Sequence, residues 1–194
     1  MDSLALTFTS GWASGVNAYL VVLVLGIADR VGGFADIPDA LGSWPVLAAA
    51  AALYAVEFVA DKIPYLDSTW DAVSTAIRPT VAAVIGVLLA GDADSLDQAV
   101  SAVVGGSTAL LSHAVKAGSR LAINASPEPF SNIAASLTED AAVLVVIGFA
   151  VQHPHAAAAV AAVLLVAGLG VLYFLARVVR RGWRRWKGRA PART

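Results

Sequence analysis

The amino-acid sequence predicts an all-α protein, a polytopic transmembrane helix bundle of about six spans with two polar hairpins on the cytoplasmic side. Composition is the first reason. Hydrophobic residues make up 58% of the 194 and charged residues 14%, against roughly 45–50% and about 25% in ordinary globular chains, and mean hydropathy is +0.74. Second, apolar runs near the ~20 residues that cross ~30 Å of hydrocarbon recur along the chain. They fall at about 4–28, 45–62, 73–90, 97–122, 137–152 and 156–178, divided by Gly, Pro and Asp punctuation. Third, the final stretch RVVRRGWRRWKGRAPART holds eight of the thirteen Lys and Arg residues and no acid, and positive segments beside a span stay in the cytoplasm.

Residues 1–180 read as one transmembrane domain and 181–194 as a basic cytoplasmic tail. MDSLALTFTS lacks a basic leader and a small-residue cleavage site, so it reads as the entry to the first span. Six spans put both termini inside. Lys62, Arg78, Lys116, Arg120 and the tail then share that side, with Arg30 alone outside. The outer connections ADRVGGFADIPDALGSW, GDADSLD and QHPH are acidic or neutral, as the bias rule allows. The absence of cysteine excludes disulfides and thiolate chemistry.

Within the first span, GWASGVNAY offers Gly11 and Gly15 as a GxxxG contact face and puts the Asn17 amide at membrane depth. The second span ends in EFVADKIPYLDSTWD, where Pro64 stops the helix near Lys62. Glu57 and Asp61 share a helix face at i, i+4, with Glu57 roughly 6 Å deeper. Two acids so placed need a proton or a cation. Lys116 and Arg120 of the fourth span repeat the spacing with opposite sign, so the expected pairs are Glu57 with Lys116 and Asp61 with Arg120. Asp67 and Asp71 flank Trp70 on DSTWDAVSTAIRP, read as an interfacial segment before the third span, with Asp67 or Ser68 as its cap.

The second hairpin contains SPEPFSN, where Pro127 and Pro129 force extended chain around Glu128, with Asn132 close behind. At the fifth span, Ser136 and Glu139 have the spacing of a capping box, which leaves Asp140 unexplained and available to a polar centre with Asn17 and Glu57. Two gapless self-alignments compete, SGVNAYLVVLVLGIA with SLTEDAAVLVVIGFA, and Glu57/Asp61 with Lys116/Arg120. They cannot both describe one duplication.

GVNAY, EFVADKIPYLDSTWD and SPEPFSNIAASLTED together resemble the membrane-protein family catalogued as domain of unknown function 4126, over nearly the whole chain. The resemblance implies an integral membrane fold and supplies no reaction. The Ala- and Val-rich composition resembles that of actinobacterial proteins, which implies the plasma membrane.

The site itself favours a small transporter or channel for an ion or proton-coupled solute. Its expected path is lined by Asn17, Glu57, Asp61, Lys116, Arg120, Glu139 and Asp140, with Lys62, Asp67, Asp71, Glu128 and Asn132 as the polar cluster of the hairpins. The alternative is a membrane scaffold or assembly partner, with a homo-oligomer among its forms. A lipid-modifying enzyme using Glu57, Asp61 and His113 is the weakest reading, because no nucleophile elbow or phosphate loop is present. No catalytic residue, cofactor or metal site is expected. The expected partners are the bilayer, with anionic lipid at the basic tail, and not nucleic acid, since no reader accompanies the charge.

Overall fold

The computed structural model describes residues 2–32, 34, 36–125 and 129–187. Six helices occupy the six predicted runs: α1 (Asp2–Gly32), α2 (Trp44–Ala60), α3 (Leu66–Ala90), α4 (Ser95–Ile123), α5 (Pro129–Ala150) and α6 (Pro154–Lys187). Local chemistry sets several boundaries. A proline stands at the start of α2, and Asp94 caps α4 by accepting from the amides of Leu96 and Asp97 at 2.9 Å. Gly91 ends α3 at φ 56°, a left-handed conformation that glycine adopts without a Cβ clash.

Ser3–Gly32, Leu66–Ala90, Phe130–Ala150 and Pro154–Arg184 are long and apolar enough to cross a membrane, while α2 is apolar but shorter. The most apolar 18 residues of α1 are 78% buried and those of α6 only 11%, so α1 is the centre of the bundle and α6 its outermost helix. Val163, Val166, Tyr173 and Phe174 of α6 face outward, an apolar surface suited to lipid and costly in water.

Helix α1 is not straight. Asn17 has extended backbone (φ −153°, ψ 95°) within it, and the contacts on either side show that the chain turns back there. In the first half, Gly11 lies against Gly105 and Gly15 against Ala109 and His113, so residues 2–16 run alongside α4 in the same direction. Ser3 and Leu4 border Ala90, Ala93 and Asp97, and Leu4 and Phe8 border His155. The N-terminus, the α3–α4 turn and the α5–α6 turn therefore share one end. The second half leads from Asn17 to Gly26, which packs on Leu41 and Leu47. Helix α2 then runs toward the opposite end, with Tyr54 level with Asp140 and Lys62 level with Ser136, while α5 runs away from it. Gly26 is thus nearer the N-terminal end than Asn17, and residues 18–32 return to the end from which residues 2–16 came.

Three sequence expectations change accordingly. Because α1 enters and leaves at one end, Ser3 and the last described turn of α6 lie at opposite ends of the bundle, where an α1 that crossed it would bring them to one end. DSTWDAVSTAIRP is no separate interfacial segment: it is the first part of a continuous α3, with Asp67, Asp71, Ser74 and Arg78 all buried. The stripe recurs at helical spacing and continues into Ala82, Ile85 and Leu89, so it faces the bundle along its whole length. Tyr65 is the N-cap residue, with no side-chain cap. Finally, α5 starts at Pro129, so Ser136 and Glu139 are interior to it and form no capping box.

Candidate functional site: a buried charge network at a helix break

Arg78 is fully buried and is the hub of the network. Its Nη2 donates to Glu57 Oε1 at 2.8 Å. Nη1 donates to the Gly15 carbonyl at 3.2 Å and to His113 Nδ1 at 2.7 Å, and Asp71 Oδ1 stands 3.2 Å from it. A guanidinium only donates, so His113 Nδ1 is an acceptor and its proton is on Nε2. Nε2 accordingly faces two acceptors at 3.0 Å, the Asp71 carbonyl and Thr75 Oγ1. The imidazole is held neutral in one tautomer by its partners.

Lys116 and Arg120 extend the network toward the opposite end. Lys116 Nζ donates to Asp61 Oδ2 at 2.6 Å and to the Val16 carbonyl at 3.0 Å. Arg120 donates to Glu139 Oε2 at 2.6 Å, to the Asp61 carbonyl at 2.9 Å, and to both oxygens of Asn132 at 3.2 Å. The expected pairs are therefore shifted by one partner. Glu57–Lys116 (3.5 Å) and Asp61–Arg120 (3.7 Å) are the longer contacts of their groups, because Arg78 takes Glu57, Lys116 takes Asp61 and Glu139 takes Arg120.

The break at Asn17 belongs to this network. Residues 2–16 end with the carbonyls of Gly15 and Val16 freed from helix bonding, and Arg78 and Lys116 donate to those two oxygens. Cations at a helix C-terminus are favoured by its dipole. On the other side of the break, Asn17 Oδ1 accepts from the Leu20 amide at 3.0 Å, the geometry of an N-cap, and Asn17 Nδ2 donates to Asp140 Oδ1 at 3.0 Å. Asp140 also receives Tyr54 Oη at 3.4 Å. The negative end of one half-helix thus meets cations, and the positive end of the other meets a carboxylate.

Glycines make the approach close enough. A Cβ on Gly11 would lie 2.7 Å from the Gly105 carbonyl oxygen, and one on Gly15 would meet the Ala109 carbonyl. The GxxxG face of α1 is seated on backbone of α4.

The remaining hairpin residues close the far side. Asn124 donates to Asp67 Oδ1 at 2.8 Å and to Ser68 Oγ at 2.9 Å, and Asn132 donates to Asn124 at 2.9 Å. Lys62 lies at the rim, donating to the Phe58 carbonyl at 2.8 Å and to Ser136 Oγ at 3.2 Å. Glu128 lies outside the described residues, as does the extended chain expected around Pro127. A cavity of about 190 Å³ reaches Lys116 and Glu139 between Trp12, Val16, Ser119 and Leu165.

The chain belongs to the family described as domain of unknown function 4126. The match covers residues 4–173, which takes in every residue of the network and stops before the basic tail. No curated protein matches the chain. No solved structure matches it either. Membership in the family brings no assigned activity, and the chemistry has to be read from the network.

Arg78 departs most from the sequence expectation: it is the hub of the network, buried inside α3, and not part of a cytoplasmic loop. The signal was available: Asp67, Asp71, Ser74 and Arg78 recur at helical spacing with the apolar positions 82, 85 and 89. His113, an acid–base candidate by sequence, serves as an acceptor for Arg78. Among the described residues no three of His, Asp and Glu are arranged to hold a metal ion.

Proposed function

We propose that the protein is an integral membrane transporter or channel for a small ion or proton-coupled solute, with its polar centre at the Asn17 break. One observation carries the reading: two half-helices end inside the bundle on a network of buried charges. Non-helical backbone at membrane depth is tolerated where it is buried in protein or lines a cavity, and broken helices at ion and substrate sites are a recurrent transporter device. A scaffold needs no such break. Ionisable groups held at this depth mark ion pathways more often than anchors.

The bias of cations orients the protein. Lys62, Arg78, Lys116, Arg120 and the α6 cations lie toward the end where α6 terminates, and Asp2, Asp29, Asp36, Asp39, Asp92, Asp94 and Asp97 lie at the other. On this reading the first end is the cytoplasmic one, as the positive-inside rule favours, with Ser3 on the outer side of the plasma membrane and the α6 cations on the inner side. There Arg177, Arg180, Arg181 and Arg184 meet anionic lipid, each contributing about 1 kcal/mol near the surface.

The path runs past Glu57, Asp61, Asn17 and Asp140 and opens through the cavity at Lys116 and Glu139. Purified protein in liposomes, loaded with a pH- or cation-sensitive dye, tests it. Wild-type flux that falls in Glu57→Gln supports the path; equal flux in both removes Glu57 from it. A scaffold is the second reading, favoured by the closure of Glu57, Arg78 and Arg120 to solvent. It predicts a co-purifying protein and no flux.

A further inference from the structure

The buried network does not balance in charge. Glu57, Asp61, Asp67, Asp71, Glu139 and Asp140 face three deeply held cations, Arg78, Lys116 and Arg120, with Lys62 at the rim. His113 adds no charge, since its Nδ1 accepts from Arg78. Even with Lys62 counted, acids outnumber cations, and uncompensated carboxylates in low-dielectric surroundings are expensive. A proton bound to one of the carboxyls reduces that excess.

Hydrogen bonding singles out which acid carries it. Glu57 has Arg78, Asp61 has Lys116, Asp67 has Asn124 and the Ser68 amide, Glu139 has Arg120, and Asp140 has Asn17. Asp71 is 2% exposed and is the one buried carboxylate among the described residues with no hydrogen-bond donor at either oxygen. Among the described residues the one cation within 4 Å of it is Arg78, with Nη1 at 3.2 Å, and that nitrogen is already engaged with Gly15 and His113.

We infer that Asp71 is the proton-binding carboxyl of this protein, taking up and releasing its proton through the network. The inference deepens the transport reading and rests on it for its purpose, though not for its chemistry. Loss of the proton leaves a carboxylate whose charge competes with Glu57 for Arg78, so the ion-pair pattern at the break changes with the protonation state. The groups that oppose or favour that charge are Asp61 on α2, Arg78 on α3, Lys116 and Arg120 on α4, and Glu139 on α5, with His113 Nε2 bonded to the Asp71 carbonyl. A route for the proton also has side chains. Ser74, one turn from Asp71, and Thr7, Ser10 and Ser14 along the first half of α1 are buried hydroxyls without partners, and they lead toward the N-terminal end.

Infrared difference spectroscopy of the purified protein between acid and alkaline pH tests this, because a protonated carboxyl has a carbonyl stretch that a carboxylate lacks. The wild type should show the band, and Asp71→Asn should lose it, while Asp97→Asn, at an exposed acid outside the network, keeps it. Proton flux in liposomes is measured in parallel. A band lost in Asp71→Asn from a wild type that passes no protons keeps the proton site and sinks the transport reading. A band that persists in Asp71→Asn, or a wild type without one, overturns the assignment whatever the flux. If Asp71→Asn does not fold, Asp71→Glu should shift the band, and an unmoved band overturns the assignment equally.

Discussion

Asn17 is bonded to Asp140 across 123 positions of chain, Nδ2 to Oδ1 at 3.0 Å, and that bond ties the break in α1 to the middle of α5. Both side chains are buried. The same amide caps the second half of α1 through its oxygen, so one residue both ends a helix pair and fixes where the pair sits.

Replacing Asn17 by Ala removes the cap, about 0.5–2 kcal/mol, and leaves Asp140 short of a donor, a further ~1–3 kcal/mol. Asn17→Ser keeps a capping oxygen but not the reach to Asp140. Thermal melts in detergent should rank wild type above Asn17→Ser and that above Asn17→Ala. Equal melting of the two variants would mean that the Asp140 bond carries nothing.

Gly15 and Gly148 make a contrasting pair. A Cβ at Gly15 meets the Ala109 carbonyl and Ser112, whereas one at Gly148 meets nothing within 4 Å. Gly15→Ala should destabilise by about 1–3 kcal/mol through overpacking. Gly148→Ala, in the interior of α5, should be neutral or stabilising by up to ~1 kcal/mol. The two melting shifts, measured side by side, check the seating of α1 on α4.

Glu57 and Arg78 are fully buried and 2.8 Å apart. Removing either partner strands the other, at about 3–5 kcal/mol. Glu57→Gln combined with Arg78→Gln should cost less than the sum of the single changes, and the double-mutant cycle measures the difference. For Lys116, exchange with Asp61 should restore more expression than exchange with Glu57, since the contacts are 2.6 and 3.5 Å. The reverse order would refute the observed pairing.

How far the sequence reached is clear from particular residues. The six helices follow from hydropathy and Gly/Pro punctuation, both local properties, and they lie where those signals put them. The meeting of the Glu57/Asp61 face with the Lys116/Arg120 face follows from complementary i, i+4 spacing. Which carboxylate takes which cation does not, because Arg78 enters from a third helix, and only packing brings it to Glu57. The reversal at Asn17 was also hidden: the run from 4 to 28 is unbroken in hydropathy, with no proline, and an isolated Asn reads equally as a polar contact on a straight helix. Nothing local distinguishes a cap from a cross-helix donor, and here Asn17 is both.

That reversal makes the last prediction. A straight first span puts Ser3 on the same side of the membrane as Gly182, while the fold-back puts Ser3 with Ala93 on the opposite side. The chain contains no cysteine, so Ser3→Cys, Ala93→Cys and Gly182→Cys are single reactive sites in an otherwise silent background. In sealed vesicles of known orientation, a membrane-impermeant maleimide should label Ser3→Cys and Ala93→Cys from one face, and Gly182→Cys only after permeabilisation or from the other face. Ser3→Cys labelling together with Gly182→Cys would show that α1 crosses the bilayer. The half-helix ends at Gly15, Val16 and Asn17 would then lose the geometry on which the polar centre depends.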